Sequence, residues 1–142
     1  MALLYYPRPG EILICRYDEV VMEPEMRKAR PALVVGPRLR RRGRLVTVVP
    51  LSTTAPEPPE AYHCQITFAA PLPPPFDSAV MWAKCDMLSS VSLDRLDRFK
   101  KPRQRGDQGR QWVSGQIEPD KLRDVRAAIL CGLGLDSLTK WL

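Results

Sequence analysis

The sequence has few of the residues that hold metal ions or form disulfides. It contains a single histidine, His63, and four cysteines that lie far apart, at positions 15, 64, 85 and 131. Without a close group of cysteine, histidine or carboxylate residues, a zinc site has little support, so we expect metal-free chemistry and no cofactor. The cysteine spacing also argues against a disulfide framework and indicates a reduced protein of the cytoplasm.

Long apolar runs and a signal peptide are missing as well, so we predict a soluble protein with no membrane partner. The chain of 142 residues and 16.1 kDa is long enough to bury an ordinary core. It has no internal repeat and no flexible linker, and its 15 prolines lie between apolar segments, which is typical of rigid loops. We therefore predict a single domain over residues 1–142.

Positive charge is in excess and is concentrated in two segments. The formal net charge is +6 and the pI is near 9.4, which predicts an anionic partner. Residues 37–44 carry five arginines, and residues 98–110 carry a mixture of lysine and arginine against one acid, Asp107. Each segment can bind a polyanion, and each can equally be a solvated face.

Short apolar segments separated by turn residues predict a mainly β fold with a C-terminal helix, an α+β arrangement. The expected strands are 11–17, 31–35, 45–51, 62–68, 79–84, 87–91 and 111–117, with one or two helical turns at 93–99. Pro119 suits the first position of a helix whose apolar face carries Leu122, Val125, Ile129 and Leu133. This pattern predicts a small, strongly twisted barrel or half-barrel over about 8–117, a helix over about 119–133 and an extension at 135–142.

One segment places an arginine where a polar loop meets a strand. Pro31 disfavours helical geometry at Arg30, and an apolar, partly β-branched run follows it, so Arg30 is expected at the start of a buried strand. That position suits a catalytic cation, although a solvated arginine on a basic protein has the same pattern. Glu25 lies five residues earlier and is a candidate base or an ion-pair partner of Arg30.

Four short motifs occur in an order that resembles the MazF/PemK family, the toxin half of bacterial toxin-antitoxin pairs. They are Arg8-Pro9-Gly10-Glu11-Ile12, Glu25 with Arg30-Pro31, Val49-Pro50-Leu51-Ser52-Thr53, and Lys84-Cys85-Asp86-Met87. The resemblance covers about residues 8–99 and implies a small SH3-like barrel of the MazF/PemK/CcdB type that cleaves single-stranded RNA.

Three positions depart from the family pattern. Ser52 stands where the family has threonine, Met87 where it has glutamine, and Ser89 where it has arginine. Serine keeps the hydroxyl, so the first change is chemically mild. The other two predict an altered base preference or, alternatively, a protein that binds RNA without cleaving it.

The resemblance implies two catalytic sets, one formed by Arg30 and Ser52 and the other by Lys84 and Asp86. Arg30 would stabilise the transition state, Ser52 would position the phosphate, and Asp86 or Glu25 would act as base; a structural role at a turn is the alternative for Asp86. We interpret His63 as structural and name Tyr17, Met26 and Trp82 as candidates for base stacking. A core or interface position is the alternative for Tyr17 and Trp82. The predicted RNA-binding residues are Lys84, Thr53, Arg27, Lys28, Arg40, Arg41 and Arg42.

The leading hypothesis is a metal-independent endoribonuclease toxin that forms a homodimer and is neutralised by an antitoxin with an acidic or apolar tail. A CcdB-like gyrase poison is an alternative, because that family shares the fold and acts through a C-terminal helix near a tryptophan, as Trp141-Leu142 would provide. A non-catalytic nucleic-acid-binding barrel is a second alternative. The apolar spacing of Leu135, Leu138, Trp141 and Leu142 fits either a tail folded back on the protein or an extended dimer interface.

Overall fold

The computed structural model describes residues 3–17, 22, 24 and 28–142. The predicted site residues Glu25, Met26 and Arg27 lie outside these residues. The strands are β1 Glu11–Arg16, β2 Ala29–Val34, β3 Leu45–Ser52, β4 His63–Thr67, β5 Val80–Lys84, β6 Ser89–Ser92, β7 Leu96–Asp97, β8 Phe99–Lys100, β9 Trp112–Val113 and β10 Gly115–Gln116. They are followed by the helix α1, Pro119–Gly132.

The main sheet is antiparallel with the strand order β10-β1-β2-β3-β5-β4. β6 pairs with β3 and β7 pairs with β1, so the single segment 89–97 contacts both strands and folds the sheet back on itself. The predicted fold class, mainly β with a C-terminal helix, is confirmed. The sheet is strongly twisted but is not a closed barrel, because the 3₁₀ turn Leu93–Arg95 separates β6, which pairs with β3, from β7, which pairs with β1.

Two cores lie on opposite faces of the sheet, because successive side chains of a strand point to opposite faces. The first core lies between the sheet and α1 and includes Ile12, Leu33, Leu51, Met81 and Val125. The second fills the space enclosed by β1, β2, β3, β6 and β7. The middle strands therefore bury both faces, which explains why their sequences are nearly continuous apolar runs.

β4 and β5 are different, because they bury only one face. Cys64, Ile66, Met81 and Ala83 are buried against the first core, whereas the alternate positions are half-buried or exposed. The described residues thus leave an open face on the β4–β5 hairpin, beside the second core.

The predicted elements differ from the structure in three places. Residues 85–87, next to the predicted strand 87–91, form a 3₁₀ turn, Cys85–Met87, so β6 begins later. Segment 93–99 keeps only the 3₁₀ turn Leu93–Arg95, after which β7 and β8 form because they pair with β1 and β9. The predicted strand 111–117 is divided into β9 and β10, which pair with different neighbours.

α1 ends at a glycine turn, as many helices do. The amide of Leu135 donates to the carbonyl of Leu130 at 2.8 Å and that of Gly134 to the carbonyl of Cys131 at 3.1 Å, while Gly134 has a φ of 73°. This is a Schellman arrangement, in which glycine accepts the left-handed conformation at no steric cost. The 3₁₀ segment Asp136–Trp141 follows, and its apolar side chains remain largely exposed, with Trp141 at 77%.

Two further findings concern the cysteines and the length of the helices. Each of the four cysteines is outside any disulfide, and Cys15, Cys64 and Cys85 are buried. In the described part of the chain, no helix is long and apolar enough to cross a membrane.

Candidate active site

Arg30 and Ser52, which are distant in sequence, are neighbours across the β2–β3 pair. The register pairs Ala32 with Pro50 and Val34 with Val48. Continued two residues beyond the Ala32–Pro50 pair, this register places Arg30, near the start of β2, opposite Ser52, at the end of β3. Residues opposite each other in an antiparallel pair share a face, with Cβ atoms about 4.5–5.5 Å apart. One phosphate group can therefore contact both side chains.

The surroundings of Arg30 combine partial burial with one aromatic neighbour. Burial lowers the pKa of the Arg30 guanidinium, and Tyr17 acts in the opposite direction. Because an arginine begins from a very high pKa, Arg30 keeps its charge at neutral pH. A half-buried, permanent cation is well suited to stabilising charge on a bound phosphate.

Tyr17 lies beneath this site and not on its surface. Its side chain is 8% exposed, and burial raises the pKa of its hydroxyl, which lies beside Cys15 and Ser89. The prediction that Tyr17 stacks on a base is therefore wrong, because a buried ring cannot present its face to RNA.

Ser52 has a hydroxyl that is held in place and still has a hydrogen to donate. The amide of Thr54 donates to the Ser52 Oγ at 3.2 Å, so the oxygen uses one acceptor site and the hydroxyl hydrogen is available to a ligand. Thr53, the next residue, is exposed. This turn presents two hydroxyl groups at the end of β3.

Lys84 lies on the same face as Ser52, one pair further along. β5 pairs with β3 through Leu51 with Ala83 and Ser52 with Trp82, and this register puts Lys84 beside Pro50. Lys84, from the second predicted catalytic set, therefore lies on the same face as Arg30 and Ser52 of the first, and the three residues belong to three adjacent strands.

Asp86 follows Lys84 in the 3₁₀ turn Cys85–Met87 and is exposed. The backbone of this turn is packed against the end of α1: a Cβ added to Gly132 would lie 3.4 Å from the Asp86 Cα and 3.3 Å from the Tyr62 Cβ. The Cys85 Sγ also lies 3.8 Å from the Val125 carbonyl oxygen. The helix thus fixes the position of the turn that carries Asp86.

The structure does not bring the basic segment 37–44 to this site within one chain. Arg40, Arg41 and Arg42 are exposed in the connection between β2 and β3, and β3 extends about 25 Å from that connection to Ser52. Arg38 lies over the Tyr6 ring at 5.6 Å, and Arg44 forms an ion pair with Asp94. Among the predicted cations nearer Arg30, Lys28 is exposed, and Arg27 is outside the described residues.

His63 begins β4 directly opposite Lys84. Its Nδ1 accepts a hydrogen bond from the Glu60 amide at 2.9 Å, which ties the imidazole to the turn before β4 and agrees with a structural interpretation. The ring centroids of Tyr62 and His63 are 4.6 Å apart. In the part of the chain that the structure describes, no group of three histidine, cysteine, aspartate or glutamate residues is placed to hold a metal ion.

Trp82 and Gln65 extend the face further, and only their cross-strand register reveals this. Ser52 pairs with Trp82 on β5, and Trp82 pairs with Gln65 on β4. The sequence predicts Trp82 as a stacking candidate, but no local pattern links it to Ser52 or points to Gln65.

The chain belongs to the PemK-like, MazF-like toxin family of type II toxin-antitoxin systems, whose family model matches residues 8–131. This confirms the resemblance inferred from the four motifs. The protein YifN of Escherichia coli strain K12 is similar, with 29% identity over 156 aligned positions that cover 97% of this chain and 99% of that protein.

Solved structures establish the same fold. An endoribonuclease from a mycobacterial species matches with a TM-score of 0.61 and 19% identity, covering 92% of this chain and 94% of that one. The Mycobacterium tuberculosis toxin MazF-mt6 matches with a TM-score of 0.60 and 21% identity, covering 91% and 99%. MazF from Deinococcus radiodurans matches with a TM-score of 0.57 and 18% identity, covering 92% and 98%.

Proposed function

We propose that this protein is an endoribonuclease toxin that cleaves single-stranded RNA without a metal ion. The observation that carries the proposal is the shared face on which Arg30, Ser52 and Lys84 lie, on three adjacent strands. Membership of the MazF-like toxin family supports an RNA substrate, and a structural neighbour is itself described as an endoribonuclease.

The reaction uses the ribose 2′-hydroxyl of the substrate as nucleophile. Its oxygen attacks the adjacent phosphorus while a carboxylate takes its proton. The bond between phosphorus and the 5′-oxygen breaks, and that oxygen receives a proton, for which the Lys84 ammonium is a suitable donor. The products are a 2′,3′-cyclic phosphate and a 5′-hydroxyl.

Arg30 and Ser52 act on the phosphate during this step. The guanidinium donates paired hydrogen bonds to the non-bridging oxygens, whose negative charge increases in the five-coordinate transition state. The Ser52 hydroxyl donates to the same group and fixes its orientation, since its oxygen is already held by the Thr54 amide.

The base is proposed to be Asp86, with Glu25 as the second candidate. Asp86 is exposed, lies two residues after Lys84, and sits on a turn whose backbone is packed against Gly132. Glu25 lies in the segment before β2, outside the described residues. Substitution of each carboxylate separates the two assignments.

The proposed partners follow from the same family and charge. We expect a homodimer in the cytoplasm and an antitoxin whose acidic or apolar tail competes with RNA. Lys84, Thr53 and Lys28 would contact RNA near the cleaved bond. Arg40, Arg41 and Arg42 would bind the RNA backbone further away or on a second copy of the chain.

The test is cleavage of single-stranded RNA by the purified protein in EDTA. We expect fragments with 2′,3′-cyclic phosphate and 5′-hydroxyl ends, detected by mass spectrometry, and loss of the fragments with Arg30→Ala. Intact RNA with the wild-type protein, or cleavage that requires added metal, would refute the proposal; trapping of gyrase on DNA would support a CcdB-like poison in its place.

A further inference from the structure

The open face of the β4–β5 hairpin continues the candidate active site across two more strands. Trp82 lies opposite Ser52 on one side and Gln65 on the other. Ser52 and Trp82 are half-buried, and Gln65 is exposed. From β2 to β4 the face spans three strand spacings, about 14 Å, so it can contact groups on both sides of a phosphate held by Arg30 and Ser52.

Trp82 differs from the other two tryptophans of the chain. The Lys100 ammonium lies 5.2 Å from the centroid of the Trp112 ring, and that of Lys140 lies 5.3 Å from Trp141. Among the described residues, Trp82 has neither a cation over its ring nor a stacked aromatic neighbour, since the ring pairs are Tyr62 with His63 and Phe76 with Phe99. An indole that is half-buried on an open sheet face can accept a nucleobase on its ring.

The charge on this face fits an anionic ligand. The outward positions of β4 and β5 are His63, Gln65, Thr67, Val80, Trp82 and Lys84, and none of them is acidic. The same face carries Arg30 on β2. A single strand of RNA combines the two features that this surface matches, a negatively charged backbone and flat, apolar bases.

From this arrangement we infer that Trp82 forms a base subsite, in which its indole stacks on the nucleotide next to the cleaved phosphate. Gln65 lies beside it with an amide that can both donate to and accept from the edge of that base. The position of this subsite relative to the cleaved bond rests on the proposed ribonuclease function. The subsite would provide base selection in a chain that has Met87 and Ser89 in place of the family's glutamine and arginine.

Binding is tested first, with Trp82 as the reporter. In a variant that combines Trp112→Phe, Trp141→Phe and Arg30→Ala, Trp82 is the remaining tryptophan and the RNA stays intact. We expect a single-stranded RNA oligonucleotide to quench its fluorescence in step with binding measured by anisotropy of a labelled oligonucleotide. Binding without a change in Trp82 fluorescence would overturn the subsite.

Substitution then tests the energetic contribution. Trp82→Leu should weaken RNA binding about fivefold to a hundredfold and raise KM more than it lowers kcat, whereas Trp82→Phe should keep most of the affinity because it keeps an aromatic face. Trp112→Leu is the matched control and should leave KM unchanged. Gln65→Ala should alter the relative cleavage of oligonucleotides that differ in the base beside the cut.

Three outcomes separate this inference from the proposed function. RNA binding with quenching of Trp82 but no cleavage would refute the ribonuclease and support the binding surface. Cleavage that depends on Arg30 but not on Trp82 would support the ribonuclease and overturn the subsite. A change in oligomer mass with both Trp82→Leu and Trp82→Phe, measured by light scattering, would also overturn it, because Trp82 would then be an interface residue.

Discussion

Replacement of Arg30 and Ser52, alone and together, tests the geometry of the candidate site most directly. The β2–β3 register places the two side chains opposite each other on one face, so both should contact the same phosphate. Loss of a donor to the developing negative charge typically lowers kcat by about a hundredfold to a thousandfold. Arg30→Ala should have an effect of this size.

The expected loss for Ser52→Ala is smaller. A hydrogen bond to a charged group contributes about 1.5–3 kcal/mol, which corresponds to roughly ten- to a hundredfold in rate. If the two side chains acted independently, the double variant would show the product of both losses. Because they hold one phosphate, removing the first donor also disturbs the contact of the second, and the double variant should fall short of that product.

The assay is single-turnover cleavage of a defined single-stranded RNA, with urea denaturation of each variant as a check on folding. Arg30 is half-buried near the start of β2, so its replacement should change the free energy of unfolding by no more than about 1 kcal/mol. Arg30→Lys should have intermediate activity, since lysine keeps the charge but loses the planar pair of donors.

Arg42→Ala is the matched control, because Arg42 is an exposed arginine at the opposite end of the same pair of strands. It should leave kcat unchanged and affect only binding at low salt. Wild-type activity in Arg30→Ala would refute the assignment of the site. A double variant whose loss equals the full product would refute the idea that both residues hold the same phosphate.

Three further predictions concern Asp86, Cys85 and the end of the chain. Asp86→Asn should reduce cleavage while Ser52→Thr retains most of it, as measured by initial rates; full activity in Asp86→Asn would make Asp86 structural and move the search for a base to Glu25. Burial raises the pKa of the Cys85 thiol from 9.0 to about 12, so the folded state retains this proton more strongly than the unfolded chain. The contribution of this thiol to the free energy of unfolding is fully present below pH 9 and is lost as the pH rises toward 12. The loss is about 2 kcal/mol between pH 9 and 10.5. The urea midpoints at these two pH values should therefore differ less in Cys85→Ala than in the wild-type protein. An equal difference in both proteins would contradict this. Removal of residues 136–142, which expose Leu138 and Trp141, should convert a dimer to a monomer in light scattering; an unchanged mass and thermal stability would show that this tail is dispensable.

Several features of the protein could be predicted from the sequence because they depend on local chemistry. Apolar, often β-branched runs between turn residues gave strands close to those observed, and Gly134 ended α1 because only glycine adopts its backbone angle without strain. The Arg30-Pro31 pair placed an arginine at the start of β2 because proline restricts the residue before it. The family resemblance was also available, since it depends on short motifs in a fixed order.

The arrangement of the site was decided by the pairing of strands. Arg30, Ser52 and Lys84 share a face only because β2, β3 and β5 pair in the observed register, and a shift by one residue would turn each side chain to the opposite face. The same pairing separates Arg40–Arg42 from Arg30, although the sequence predicted that both contact RNA. It also brings Gln65 next to Trp82. Such contacts join residues that are far apart in the chain, so no local pattern in the sequence specifies them, and only burial of the two cores on either side of the sheet fixes the register.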